Sequence, residues 1–272
     1  MSNKSILLRI TSDPDSNMDK WASMKYWLPI FLIFNYSLLI SSCGLDVEDP
    51  TPPSPPVWVQ KSFPEEWPER GIDAHEGGGI YLEWESNVNE DIAAYILYRA
   101  NWIGNIDSIG NYVILARLET DSPSFLEYID DNVELRERYY YKLRVEDTTG
   151  NVSDFSDSIF YTLLSQLNDG QMQPNGVNHP LREGESFYWF FPHSLEMEDY
   201  CLTITSGDYE FVARVIILPG NYTGEHEYWQ LPEDIHLESG KIYKWRIDAG
   251  ARYIDGRETS GSESHWAVFL YL

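Results

Sequence analysis

Short runs in which apolar and polar residues alternate constrain the fold of this chain more than any other feature. Apolar side chains occupy every second position in residues 80–84 (IYLEW) and again in residues 139–145 (YYYKLRV). A period of two is typical of strands that bury one face, whereas helices show a period of about 3.6 residues. No long helical pattern follows Val57. We therefore predict an all-β chain of two tandem antiparallel β-sandwiches.

The first half of this region contains a characteristic series of motifs. They are Pro55-Pro56, IYLEW at 80–84, DIAAYILYR at 91–99, YYY at 139–141 and DTTGN at 147–151. This order resembles a fibronectin type III domain over residues 55–163, and we set the domain itself at 57–163. The resemblance implies that Trp84 lies in the core and that the Tyr139 hydroxyl bonds back to the chain in a tyrosine corner. Residues 101–111 are rich in Asn, Gly, Asp and Ser and predict a loop.

The second half of the chain repeats this arrangement less closely. Trp189 corresponds to Trp84, and Tyr243, with a leucine six residues before it, has the spacing of a second tyrosine corner. The resemblance implies that residues 164–272 form a divergent fibronectin III-like or immunoglobulin-like sandwich with a core of its own. Neither fold implies an activity by itself.

The segment before the sandwiches has the features of a lipoprotein signal. Lys25 precedes an apolar run, Tyr26–Ile40, that is shorter than the ~20 residues of a membrane-spanning helix. The sequence Ile40-Ser41-Ser42-Cys43 resembles the lipobox of bacterial lipoproteins. That resemblance implies a signal peptide at residues 24–42 and a lipid on the Cys43 thiol. A plain signal peptide or signal anchor with an incidental cysteine is the alternative.

Two further segments flank this signal. Residues 1–23 contain Asp13, Asp15 and Asp19 where the leading region of a signal should be short and basic, so we interpret them as an upstream extension or a disordered tail, with translation starting at Met24. Residues 43–56 contain the lipidated cysteine and five prolines, which predict an extended acidic linker. Glycine rather than aspartate follows Cys43, as in outer-membrane lipoproteins. We therefore expect an outer-membrane anchor, with the body on the periplasmic or the cell-surface side.

Charge and the reactive residue types narrow the possible functions. The chain has 19 basic and 44 acidic residues, and its net charge of −25 disfavours nucleic-acid partners. Two cysteines are too few for a disulfide framework, and six dispersed histidines show no metal-ligand spacing. Neither a phosphate-binding loop nor a nucleophile elbow occurs. We predict no catalytic, cofactor or metal site, and no enzyme activity.

Strand alternation suggests one candidate surface for a ligand or partner. If Trp189 points into the core, Tyr188 and Phe190 point outward, and Tyr228 does the same from a strand beside it. Three aromatic side chains on one face would suit sugar rings or a partner chain. The alternative is that residues 164–180 or the first sandwich cover them.

These observations favour a non-catalytic, lipid-anchored cell-envelope protein that acts as an adhesion, scaffold or protein-binding module. The alternative is a carbohydrate-binding surface lipoprotein that presents glycan to a partner transporter or enzyme. The expected partners are the membrane, through Cys43, and a protein or a glycan. Exposed coplanar aromatic rings would favour glycan, whereas an open strand edge would favour protein.

Overall fold

The computed structural model describes residues 50–61, 69–87, 91–122, 126–167, 169–191, 197–218, 227–254 and 256–272. The regular elements in these ranges are β-strands, apart from one 3-10 turn at Asp169–Gln171. This confirms the predicted all-β class. Pro50–Leu272 forms one compact unit that contains two separate hydrophobic cores. The predicted extension, signal peptide and lipidated cysteine lie outside the described residues.

Two sheets form the first sandwich. One sheet contains β1 (Ile72–His75), β2 (Gly79–Glu83) and β6 (Glu127–Asp130). The other contains β3 (Ile92–Ile103), β4 (Ser108–Ile109), β5 (Val113–Glu119), β7 (Arg138–Asp147) and β8 (Ile159–Leu163). Strand β3 pairs with both β5 and β7, and β8 pairs with the far edge of β7. Trp84 is buried between the sheets and packs against Trp58 and Tyr95, which confirms its predicted place in the core.

The second sandwich follows the same plan. Its smaller sheet contains β9 (Met172–Gln173), β10 (Ser186–Trp189) and β13 (Glu227–Gln230). Its larger sheet contains β11 (Asp199–Ser206), β12 (Phe211–Ile217), β14 (Ile242–Ile254), β15 (Arg257–Glu263) and β16 (Ala267–Leu270). Trp189, Phe187 and Trp245 pack together in a core that contains residues from 164 to 269. The two cores therefore divide the sequence near residue 164.

Both predicted tyrosine corners are present. The backbone N–H of Glu134 donates a 2.9 Å hydrogen bond to the hydroxyl oxygen of Tyr139. The N–H of Glu238 donates a 2.8 Å hydrogen bond to Tyr243 in the same way. Each tyrosine follows its donor by five residues, so the spacing in the sequence was sufficient to find both.

The expected loop at residues 101–111 is wrong at residues 101–103 and 108–109, which are strands, and right only at 104–107 and 110–111. Strand β3 continues to Ile103, Asn101 pairs with Tyr139, and Trp102 pairs with Ile109 of β4. The Trp102 ring packs 5.9 Å from the ring of Tyr140 on the neighbouring strand. Such cross-strand packing outweighs the weak strand preference of asparagine and glycine, and it is not visible in the local sequence.

The end of the predicted proline-rich linker lies against the first sandwich. Pro53 and Pro56 are buried. The side-chain amide of Asn87 donates a 2.7 Å hydrogen bond to the carbonyl oxygen of Ser54. Residues 53–56 therefore pack on the domain that the linker was expected to precede.

A parallel strand pair joins the two sandwiches. Thr162 and Leu163 of β8 pair with Ser260 and Gly261 of β15, which makes the two larger sheets continuous. The second half of β14 pairs with β15, and this hairpin extends the larger sheet of the second sandwich toward β8. The first half of β14 pairs with β16. The extended hairpin of the second sandwich thus completes the sheet edge of the first.

Candidate functional site

The structure places the predicted surface aromatics on the smaller sheet of the second sandwich. Tyr188 and Tyr228 are directly paired across β10 and β13, and their ring centroids are 6.2 Å apart with an interplanar angle of 40°. Tyr188 is 47% exposed and Tyr228 is 67% exposed, so the described residues do not cover them. Phe190 lies one residue beyond β10 and is only partly exposed. The expected group of three is therefore an exposed pair with a half-buried neighbour.

Part of residues 164–180, which the alternative interpretation placed over these rings, forms a strand beside them. Strand β9 pairs with β10, placing Gln173 opposite Tyr188. The following residues form a cavity of about 400 Å³ that Tyr188 borders together with Pro174 and His179. Tyr188 thus stands between an open sheet face and a concave surface.

A face rich in cations and aromatic rings, which the sequence analysis missed, covers the outer side of the large sheet in the first sandwich. Alternate residues of β7 point away from the core, among them Lys142 and Arg144. The Lys142 ammonium lies 4.6 Å from the ring centre of Tyr112, and the Arg144 guanidinium lies 3.8 Å from that of Phe155. Cation–π contacts of this kind hold long basic side chains flat against a sheet. The available signal was that Arg138, Lys142 and Arg144 are spaced by even numbers of residues, which places them on one face of a strand.

This face ends in a cavity of about 540 Å³ beside the parallel strand pair. Trp102, Tyr140 and Phe160 follow one another across β3, β7 and β8, with successive ring centroids 5.9 and 5.1 Å apart. Arg138 lies over Trp102 and Phe160. Arg252 of the second sandwich borders the same space.

Behind the parallel strand pair lies a buried group of acidic side chains. The Tyr161 hydroxyl donates a hydrogen bond to Glu258 and lies 3.4 Å from Oδ1 of Asp73. Burial raises the pKa of Asp73 well above its usual range, and the nearby carboxylates of Glu69 and Glu258 raise it further. Burial also raises the pKa of Glu263, although Arg246 forms an ion pair with it.

The cysteines and the possible metal ligands of the described residues provide no further candidate site. Cys43 lies outside the described residues. Cys201 is a buried free thiol, and burial raises its pKa. Within the described ranges, no group of three His, Cys, Asp or Glu side chains is arranged to hold a metal ion. The described part of the chain contains no helix with the length and hydropathy of a membrane span.

Comparisons with known proteins yield only distant structural likeness. Neither a protein-family model nor a curated protein matches the chain. A β-1,2-glucanase from Parabacteroides distasonis is 23% identical over 44% of this chain and 15% of its own length, with a TM-score of 0.31. The FN1–FN3 domains of chicken CNTN1 are 12% identical, with 80% of this chain and 69% of theirs covered and a TM-score of 0.33.

A segment of two fibronectin type III domains from chicken tenascin is also similar. It is 14% identical, with 72% of this chain and 93% of its own covered and a TM-score of 0.26. All three TM-scores are below 0.5, so these likenesses carry no conclusion about function.

Proposed function

We propose that this chain is a non-catalytic protein-binding module of the bacterial cell envelope, anchored at the outer membrane by a lipid on Cys43. An apolar hairpin surface supports the proposal. It consists of five aliphatic side chains on and between β3, β4 and β5 that are 37% to 63% exposed: Ile103, Ile106, Ile109, Val113 and Ile114. These five exposed side chains lie close together in the sequence on one hairpin and the strand that follows it, and large exposed apolar patches mark interaction sites.

The edge of the sheet supports protein rather than glycan as the ligand of this hairpin. Strand β5 pairs with β3, and no strand in the described ranges pairs with its other edge. An open edge presents unpaired N–H and C=O groups to which a partner strand can add. Val113 and Ile114 begin this edge strand, so main-chain pairing and apolar burial are available at one place.

The anchor is tested by lipid labelling. Labelled palmitate should enter the full chain, and Cys43→Ala should abolish the label and release the protein from membranes. The matched control is Cys201→Ala, which removes the other thiol in the chain and should leave labelling unchanged. Labelling that persists in Cys43→Ala would contradict the proposed anchor.

The hairpin surface is tested by photo-crosslinking in cells. A crosslinking residue at Ile106 or at Ile114 should capture the same partner, identified by mass spectrometry. The control position is Val177, which is also exposed but lies in the second sandwich. The double variant Ile106→Asp and Ile114→Asp should remove the crosslinked species while the protein remains folded. Equal capture from Val177 would count against this surface.

A second candidate function is glycan binding by the pair Tyr188 and Tyr228. The exposed, adjacent rings favour it, because sugar rings stack on aromatic faces. Their 40° tilt is less suited to a single flat sugar than two coplanar rings would be. We therefore rank this function below protein binding.

A further inference from the structure

A row of four polar side chains crosses from the first sandwich to the second. The backbone register places Arg138 opposite Thr162, Thr162 opposite Ser260, and Ser260 opposite Arg252. The row therefore crosses four neighbouring strands, β7, β8, β15 and β14. At about 4.8 Å per strand, the two arginine Cα atoms lie roughly 14 Å apart. Two hydroxyl groups stand between two guanidinium groups.

The row lies in the wall of the 540 Å³ cavity. The volume of this cavity is within the range of roughly 300–1,000 Å³ that is usual for small-molecule sites. The lining includes three arginines and one acid: Arg136, Arg138, Arg252 and Glu137. Arg252 sits at an irregularity in the β14–β15 register, a feature that commonly redirects side chains near binding sites.

Arg138 and Arg252 differ from other arginines of this acidic protein. Arg99, Arg117 and Arg246 each form an ion pair with a carboxylate. Across the ranges that the structure describes, neither Arg138 nor Arg252 does so. The rings of Trp102 and Phe160 lie 5.4 and 5.0 Å from the Arg138 guanidinium carbon. Aromatic rings attract this cation without supplying carboxylate acceptors, so its N–H donors remain available for an anion.

We propose that this cavity binds a carboxylated saccharide, at a site whose lining shares no residue with the five side chains of the apolar hairpin surface or with Tyr188 and Tyr228. The arginines suit carboxylates because a guanidinium can donate two parallel hydrogen bonds to one. The hydroxyls of Thr162 and Ser260 suit sugar hydroxyls, and Trp102 supplies an aromatic wall. The net charge of −25 and Glu137 repel anions increasingly with their charge, so one carboxylate per sugar is favoured over several sulfate or phosphate groups per sugar.

The test is a binding titration of the full chain with trigalacturonate. We expect saturable binding that weakens as salt concentration rises, because the contacts are ionic. Arg138→Gln and Arg252→Gln should each weaken it at least about tenfold, the loss of about 1.4 kcal/mol of binding free energy. The matched control is Arg117→Gln on the same sheet, whose ion pair with Glu146 lies outside the cavity lining. It should bind like the unmodified chain.

Arg252→Gln keeps the experiment decisive if Arg138→Gln fails to fold, because Arg252 is exposed. No detectable binding of trigalacturonate, or binding that Arg252→Gln leaves unchanged, would overturn the proposal. Equal affinity for neutral maltotriose would show that the carboxylates are not recognised and would overturn it too. Equal or tighter binding of triglutamate would reassign the cavity to acidic peptides.

Discussion

The hydroxyl of Tyr161 in the first sandwich donates a hydrogen bond to the buried carboxylate of Glu258 in the second. Asp73 approaches the same hydroxyl from β1, so one phenol lies between carboxyl groups of both sandwiches. Carboxylates are rarely fully buried unless they are paired. Protonation of these groups therefore affects the stability of the junction between the sandwiches.

Stability at this junction should fall as pH rises. Burial raises the folded-state pKa of Asp73, so the folded chain holds this proton more tightly than the unfolded chain does. The resulting stabilisation is complete below the unfolded pKa of about 3.9 and is lost as pH rises toward the folded pKa. Asp73→Asn should remove this dependence, because the amide stays neutral.

Chemical denaturation between about pH 5 and about pH 8 measures the effect, which cannot exceed about 1.4 kcal/mol per pH unit for one group. As pH rises, the free energy of unfolding of Asp73→Asn should increase relative to that of the unmodified chain. The control Asp121→Asn changes an exposed carboxylate. A constant difference between Asp73→Asn and the unmodified chain would contradict the prediction.

Gly261→Ala should destabilise the junction. A Cβ at this position would collide with the backbone oxygen of Ala249 and the Glu258 carboxylate, and would lie 2.8 Å from the Tyr161 hydroxyl. Overpacking of this kind typically costs about 1–3 kcal/mol. Thermal unfolding provides the measurement. The control is Gly104→Ala, whose added Cβ would lie 4.0 Å from the Trp102 ring and should change stability much less. Gly150→Ala is less suitable, because the positive φ of Gly150 would itself add strain.

Removing either corner hydroxyl should destabilise the sandwich that contains it. Tyr139→Phe leaves the N–H of Glu134 without its acceptor, and Tyr243→Phe does the same to Glu238. Loss of one partner from a hydrogen bond costs about 1–3 kcal/mol when the other group is buried, and less when water reaches it. Urea denaturation should show a lower midpoint for both variants. Tyr140→Phe, one residue along β7, should change it less, and an equal loss there would argue against a special role for the corner.

The exposed tyrosine pair should be dispensable for folding. The double variant Tyr188→Ser and Tyr228→Ser should change the free energy of unfolding by less than about 1 kcal/mol, because both side chains are exposed and lie outside the core. Phe190→Ser should cost more, since this side chain is half-buried. If the pair binds glycan, the double variant should lose retention in affinity gels that contain neutral polysaccharide. Substantial unfolding of the double variant would show that the rings are packing groups.

Local patterns were enough to predict much of the fold. Alternation in residues 80–84 identified a strand that buries one face, and the spacing before Tyr139 and Tyr243 identified both corners. These features depend on residues close in the sequence, where strand periodicity and short-range hydrogen bonds act. The same reasoning placed Tyr188 and Tyr228 on the surface, because side chains of a strand point alternately to its two sides.

The cavity at the junction depends on contacts that no local pattern contains. Thr162 and Ser260 are almost one hundred residues apart, and they become neighbours only because β8 and β15 pair in parallel. That pairing brings Arg138 and Arg252 to one cavity, and Tyr161 of β8 lies between the carboxyl groups of Asp73 and Glu258. Burial and cross-strand register set the charge state and the shape of this region, and both arise only when the two sandwiches pack together.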